Sequence, residues 1–238
     1  MTEVVYPKIS IITVTYNSEK YLEQTILSVI NQKYPNLEYI IIDGDSSDRT
    51  LEIIKKYEDS ITYWVSEKDN GIYDAINKGI LVSTGEFIGI INSDDWYEEN
   101  AFNRILNSIC KEETKIIHGV LRLWDNENII GLQGYTSNFL ENGMISHPTC
   151  FINRHIYFNI SLYDTQYKIA ADYDLMLKCF LNNKIKFTHQ EHIIANFRLS
   201  GISNKYTKLR RKETNEIMYK YKLINKKSYL LNKFKLLF

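Results

Sequence analysis

Residues 8–43, KISIITVTYNSEKYLEQTILSVINQKYPNLEYIIID, decide the fold. Lys8–Thr15 is an unbroken, β-branched apolar run, which reads as a strand buried on both faces. Tyr21, Leu22, Thr25, Ile26, Val29 and Ile30 then recur at helical spacing, with Asn17 and Ser18 ahead of them as candidate caps and Pro35 as the stop. Leu37–Ile42 is a second buried strand and runs into Asp43. The same alternation continues outward. Asp48 caps a helix carrying Leu51, Ile53, Ile54 and Tyr57, and a short strand is expected at Ile61–Val65. The loop Ser66–Asn70 leads into a helix with Ile72, Ala75, Ile76, Gly79 and Ile80 on one side. Phe87–Ile91 is a fourth strand, and a helix is expected from Glu98 to Cys110. Four strand-then-helix repeats predict an α/β fold, a mostly parallel sheet with right-handed crossovers and helices on both faces.

Sheets of this kind bind ligands beyond the carboxyl ends of their strands. At those ends stand Tyr16-Asn17, Asp43, Glu67-Lys68-Asp69 and Asp94-Asp95, all on one rim. The second half is less regular. Ile116–Val120 reads as a strand, Leu121–Leu132 as a polar hairpin and Met144–Asn153 as a further strand. Ala170–Leu181 reads as a helix, and two strands are expected around Ile185–Thr188 and Ile193–Leu199.

The 238 residues suffice for one good-sized domain and an appendage, and 44% apolar with 24% charged residues is ordinary globular composition. Cys110, Cys150 and Cys179 are odd in number and far apart, the pattern of reduced, buried thiols rather than a disulfide frame or zinc site. No apolar run approaches the ~18–20 residues that cross a bilayer, and Met1–Lys8 does not read as a secretory signal. Net charge is zero but uneven: Tyr206–Phe238 holds ten Lys/Arg against Glu213 and Glu216, and the other 205 residues hold 19 basic against 27 acidic side chains. A tail of +8 on a body of −8 marks the tail as a contact surface for something anionic.

Adjacent carboxylates such as Asp94-Asp95 repel one another unless a cation or hydrogen-bond donors neutralise them. Mg²⁺ or Mn²⁺ held by one or two carboxylates plus substrate phosphates is one such arrangement; a plain strand-to-helix turn capped by the aspartates is the other. The second acidic cluster, Asp43–Asp48, at the neighbouring strand end favours the ligand site. Asp43, at the strand end itself, is placed to accept hydrogen bonds from a base or ribose. Asp172 and Asp174 open the late helix, where helix N-termini favour carboxylates, so one of them can be merely structural. His147, before Pro148, is either a satisfied core histidine or a site residue, whereas His189 and His192 read as hairpin residues rather than metal ligands. There is no GxGxxG, GxxxxGK[ST] or GxSxG, and no nucleic-acid-reading motif accompanies the basic tail.

The ordered series Thr13–Asn17 (TVTYN), Asp43–Thr50 (DGDSSDRT), Glu67–Gly79 (EKDNGIYDAINKG), Thr84–Asp95 (TGEFIGIINSDD), Ser146–Thr149 (SHPT), Ala171–Leu175 (ADYDL) and Arg198–Ser203 (RLSGIS) resembles the family 2 glycosyltransferases. The resemblance covers roughly residues 8–203 and implies the Rossmann-like GT-A fold, with a catalytic domain over 1–204 and a basic helical tail over 205–238. Residues 1–95 would be the nucleotide-sugar half and 96–204 the acceptor half. It implies an inverting transfer of a sugar, hexosyl or N-acetylhexosaminyl, from a UDP-linked donor to a hydroxyl of a glycan or lipid-linked glycan in bacterial envelope polysaccharide synthesis. Thr13, Tyr16 and Asp43 would hold the nucleoside, with Asn17 and Asp69 beside it. Asp94 would face the ribose or sugar, and Asp95 would bind Mn²⁺ or Mg²⁺ bridging the diphosphate. Asp172 would be the general base, with Asp174 as runner-up, and Arg198, Ser200 and Ser203 would close over the diphosphate.

The chain departs from the family pattern where Ala171 replaces the Glu of a Glu-Asp pair and Ile76 replaces a common Arg. Lys78, Lys68 or Arg198 must then meet the diphosphate charge. Two other readings stay open, a sugar-1-phosphate nucleotidyltransferase and a catalytically silent sugar-nucleotide-binding subunit. The first needs a Gly-rich, Arg-containing loop after the first strand, where this chain has Tyr16-Asn17-Ser18-Glu19. The tail interleaves basic residues with Leu230, Leu231, Phe234 and other apolar side chains. That suits a helix lying on the inner face of the cell membrane, which would make a cytoplasmic enzyme peripheral; packing on the acidic body is the alternative.

Overall fold

The computed structural model describes residues 6–109, 116–199 and 206–236. Among them, nine strands form one sheet in the order β3-β2-β1-β4-β8-β6-β9-β5, with β7 paired to β6. The first four strands are β1 (Ile9–Thr15), β2 (Leu37–Asp43), β3 (Tyr63–Ser66) and β4 (Phe87–Ile90). They run parallel, with Ile9 opposite Leu37 and Phe87 and Thr15 opposite Asp43. Successive side chains of a strand point to opposite faces, so β1 sends Ile9 and Ile11 into one apolar layer and Ile12 and Val14 into the other. On the first face pack α1 (Leu22–Ile30), α2 (Thr50–Lys56) and α4 (Ala101–Ile109); on the second lie α3 (Ile72–Val82) and α6 (Ala171–Phe180). Covering both faces is what permits β1 to be buried along its whole length.

The second half makes the sheet mixed. β8 (Phe151–Asn153) runs antiparallel between β4 and β6 (Ile116–Asp125), and β7 (Asn128–Gln133) forms a hairpin with β6. The expected strand over Met144–Asn153 shrinks to β8. His147–Thr149 instead forms a 3₁₀ turn, because Pro148 has no N–H for a ladder. The two late strands are one, β9 (Phe187–Arg198), parallel to β6 across register shifts between His118 and Leu121. Two elements were not anticipated: the two-residue β5 (Trp96–Tyr97) and α5 (Arg154–Asn159), which Asn153 caps by accepting from His155 N–H (3.0 Å). Asn17 and Ser18 do not cap α1. Tyr21 holds the cap position, and Asn17 sits at φ 48° with its side chain turned to the neighbouring loop. Helix α4 begins at Ala101 rather than Glu98, and Cys110 lies outside the described residues. Cys150 and Cys179 are buried free thiols.

The tail forms α7 (Thr207–Lys220) and α8 (Lys226–Lys235). Helix α7 is part of the body: Ile217 is fully buried in the core layer of α3 and α6, with Met218, Tyr221 and Leu223 against it. Helix α8 touches α7 through Asn215 Nδ2 donating to the Tyr229 carbonyl (3.1 Å) and Asn232 Nδ2 donating to Asn215 Oδ1 (2.9 Å), with Tyr219 stacked on Tyr229. Its Leu230, Leu231 and Phe234 are more than half exposed. Leu237 and Phe238 lie outside the described residues.

Candidate active site

The carboxyl ends of β1 and β4 open onto a cleft of about 1030 Å³, which the starts of α3 and α6 and one side of α7 also line. At the end of β1, Tyr16 is exposed, and Asn17 turns its backbone with φ positive. That turn lets Asn17 Oδ1 accept from Ser47 N–H (2.9 Å) while its own N–H donates to Ser46 Oγ (2.8 Å), locking the β1 and β2 exits together. Asp69 lies beside them, its Oδ1 accepting from Gly71 N–H (2.8 Å). Its other oxygen rests against Gly44, where a Cβ would come within 2.5 Å. Gly71 opens α3 at φ +115°, a conformation that side chains resist.

Tyr16, Asn17, Asp69, Asp94, His147 and Asp172 all line this cleft. Six other expected residues, Thr13, Asp43, Lys78, Asp95, Asp174 and Arg198, do not. Thr13 is fully buried, with its hydroxyl 3.1 Å from that of Tyr39 beneath the sheet. Asp43 is fully buried too, and its carboxylate ties its own loop to the end of β3: it accepts from Ser46 N–H (2.9 Å), Ser46 Oγ (2.5 Å) and Ser66 Oγ (2.7 Å). Lys78 is committed to the loop before α3, paired with Glu67 (2.7 Å) and donating to the Lys68 carbonyl (3.1 Å). Asp174 is buried behind the cleft, ion-paired with Lys178 and Lys220 (2.8 Å each) and accepting from Tyr221 (3.1 Å). It fastens α7 to α6.

Asp95 lies below Asp94. It is 1% exposed, its Oδ1 accepts from Arg198 N–H (3.1 Å), and its Oδ2 is buried with no hydrogen-bond partner. Burial first and the Asp94 charge second hold its carboxyl well above the usual range, against the pull of Arg198. Such an oxygen fits a divalent cation shared with Asp94 and diphosphate oxygens, an arrangement that needs only one or two protein carboxylates. Among the described residues no cluster of three or more potential ligands occurs. Arg198 itself is sandwiched between Tyr21 and Trp96, 4.2 Å from each ring, and donates to Gln24. Ser200 and Ser203 lie outside the described residues.

On the α6 side, Asp172 is half-buried and accepts from the Tyr73 hydroxyl (3.1 Å) and from Tyr173 N–H (2.9 Å). Tyr73 stacks on Tyr163, whose hydroxyl lies 2.8 Å from His147 Nε2. Burial pushes the His147 ring below the usual histidine range, against the opposing charge of Asp172, and pushes the Tyr73 hydroxyl up. His147 thus belongs to the same network. Sequence reasoning missed Lys20, Lys168 and Arg210, the cations that line this cleft. Arg210 comes from α7, one of ten basic residues in a tail that gave no sign which would face the site.

Asp94 and Asp172 thus line one cleft beyond the carboxyl ends of the parallel strands. The glycosyl transferase family 2 model matches residues 10–169, and the chain belongs to that family. It is a glycosyltransferase. A PGL/p-HBAD biosynthesis glycosyltransferase of Mycobacterium bovis is 26% identical over 204 residues, covering 83% of this chain and 80% of its own. An uncharacterized glycosyltransferase of Rickettsia typhi is 29% identical, over 77% and 62%. Among solved structures, S. aureus TarS residues 1–349 in complex with UDP matches with a TM-score of 0.70 at 20% identity, over 89% of this chain and 64% of that one. The mannosyltransferase PcManGT from Pyrobaculum calidifontis, in complex with GDP-Man and Mn²⁺, matches with 0.72 at 16% identity, over 98% and 70%. The chain therefore spans about two thirds of each of these two solved chains. Among the described residues, no helix is long and apolar enough to cross a membrane.

Proposed function

We propose that the chain transfers a hexosyl or N-acetylhexosaminyl group from a UDP-linked donor to a hydroxyl of an envelope glycan or glycolipid, with inversion. The observation that carries this is the pairing of two carboxylate sites in one cleft: Asp94, above the unpartnered Asp95 oxygen, and Asp172, held by Tyr73. Tyr16 offers an exposed ring beside Asn17 and Asp69 for the nucleoside. Asp94 and Asp95 would hold Mn²⁺ or Mg²⁺, which when bound neutralises charge developing on the diphosphate leaving group. Lys20 and Lys168 supply further positive charge along the cleft. Asp172 takes the proton of the acceptor hydroxyl as that oxygen attacks the anomeric carbon, while the bond to the diphosphate breaks on the far side. Holding both sugars in line contributes more than either charge effect alone.

The UDP assignment draws support from the neighbour whose structures hold UDP and UDP-GlcNAc, although the other holds GDP-Man. The envelope role draws support from the mycobacterial relative named for PGL/p-HBAD biosynthesis. Exposed Leu230, Leu231 and Phe234 among the lysines of α8 support peripheral attachment to an anionic membrane surface. Calorimetric titration with UDP, GDP and CMP, each with and without Mn²⁺, tests the donor site. UDP should bind tightest and only with metal; tighter GDP binding, or metal-independent binding, refutes the reading.

A further inference from the structure

Glu213 is buried in the tail helix α7, and a carboxylate taken from water needs donors in return. It finds three. Oε1 accepts from Lys168 N–H (2.8 Å), and Oε2 accepts from Ile169 N–H (2.9 Å) and Ala170 N–H (3.0 Å). These are the three successive residues that lead into α6, and Ala170 occupies its cap position without a side-chain cap. A carboxylate there satisfies three converging amides and lies at the positive end of the helix dipole. The segment so fixed is itself cleft wall: Lys168, Ile169 and Ala170 all line it, and Asp172 follows in the first turn.

We infer that Glu213 is a positioning residue for Asp172, so that the tail helix sets where the general base stands. The inference rests on the reading of Asp172 as the base. Three features make the coupling direct. The amide nest ends two residues before Asp172, which leaves little backbone to absorb a shift. Arg210 and Thr214 on the same helix also line the cleft, so α7 is seated against the site and not merely near it. The Glu213 charge is also felt at Tyr73, the hydroxyl that donates to Asp172. Displacement of a reacting group by about 1 Å can cost ~10²-fold in rate, so a nest that loosens by a fraction of that should be visible in turnover.

The test uses the full chain and four variants: E213Q, D172N, the double variant and N215A. Gln keeps the size of the side chain but turns an NH₂ group toward amide donors. E213Q should lower kcat by roughly 10-fold or more while the UDP–Mn²⁺ dissociation constant stays within about twofold. In the D172N background the same substitution should cost nothing further, because both changes act through one group. N215A loosens α8 from the same helix without touching the nest. It should lower the melting temperature and leave kcat unchanged. If E213Q does not fold, E213D replaces it, keeping the charge but drawing the carboxylate back from the amides, with the same expected loss of kcat. Loss of kcat in D172N but not in the Glu213 variant overturns this inference alone. An equal loss from E213Q with and without D172N overturns it as well, by showing another route. Full turnover in D172N removes the base assignment and this inference with it.

Discussion

Asp172 and Asp174 stand half a helical turn apart, and their substitution should give opposite phenotypes. Asp174 is fully buried and holds two ammonium groups and a phenol: Lys178 and Lys220 at 2.8 Å and Tyr221 at 3.1 Å. Removing one partner of a buried ion pair costs about 3–5 kcal/mol when the other is stranded without solvent. Here the two lysines keep 25% and 40% of their side-chain surface in water and can turn outward, so Asp174→Ala should cost less, about 2–3 kcal/mol. For a chain of this size each kcal/mol moves the melting temperature by roughly 2–4 °C, so the expected fall is about 4–12 °C. Turnover, scaled to the folded fraction, should change little, because the three amide bonds to Glu213 still seat α7 against the start of α6. Asp172→Asn should do the reverse: an unchanged melting curve, near-normal donor affinity and a kcat reduced by at least ~10²-fold. Thermal denaturation by circular dichroism and a UDP-release assay read the two quantities separately. A collapse of kcat in Asp174→Ala at an unchanged melting temperature would show that the base is Asp174 and that the geometry of α6 has been misread.

Asp95→Asn should abolish the Mn²⁺ dependence of UDP binding in calorimetry, and persistence of that dependence would place the cation elsewhere. Glu38 gives a pH prediction. Burial alone would raise its carboxyl, but Lys8, the Ser10 hydroxyl and Thr84 together hold it down at about 2. A folded value below the unfolded one adds stability that is present at neutral pH and fades as pH falls through the interval from about 4.5 to about 2. Glu38→Gln should therefore be less stable than the parent at pH 7 and converge with it near pH 2 in urea melts, whereas a gap that widens on acidification would contradict the sign. Anionic phosphatidylglycerol vesicles should pellet the full chain at ~50 mM salt but not a chain stopped at Asn225, since each lysine near such a surface adds ~1 kcal/mol. Equal, negligible pelleting would make α8 purely structural.

The parallel half of the fold was legible because β1, β2 and β4 are buried on both faces, which leaves an unbroken apolar run in the sequence. β5 was not, since two residues carry no period and Trp96–Tyr97 is a strand only by pairing with Asn196 and Ala195 on β9. The rim of acidic residues was legible as a rim, but its depth was not. Adjacent aspartates look alike on paper, while the backbone turns Asp94 into the cleft and Asp95 beneath it. Asp43 was readable as a strand-end carboxylate, whereas the serines that occupy it come from the loop at 46 and from the end of β3 at 66. Lys78 looked available because nothing in its spacing reveals the Glu67 pairing. Glu213 left no sequence signal, as its partners are backbone amides that any residue would supply.

The contact between Gly44 and Asp69 has an evolutionary consequence. With 2.5 Å between a would-be Cβ and the carboxylate oxygen, any side chain at position 44 must displace that oxygen. Asp69 cannot simply lean away, because its other oxygen is bound to Gly71 N–H at the opening of α3. A lineage that drifts from glycine at 44 would thus have to reseat or replace the acid at 69 and rebuild the entrance to α3. Two positions separated by α2 and β3 are thus coupled in one direction: position 44 can gain a side chain only after the acid at 69 has moved or gone.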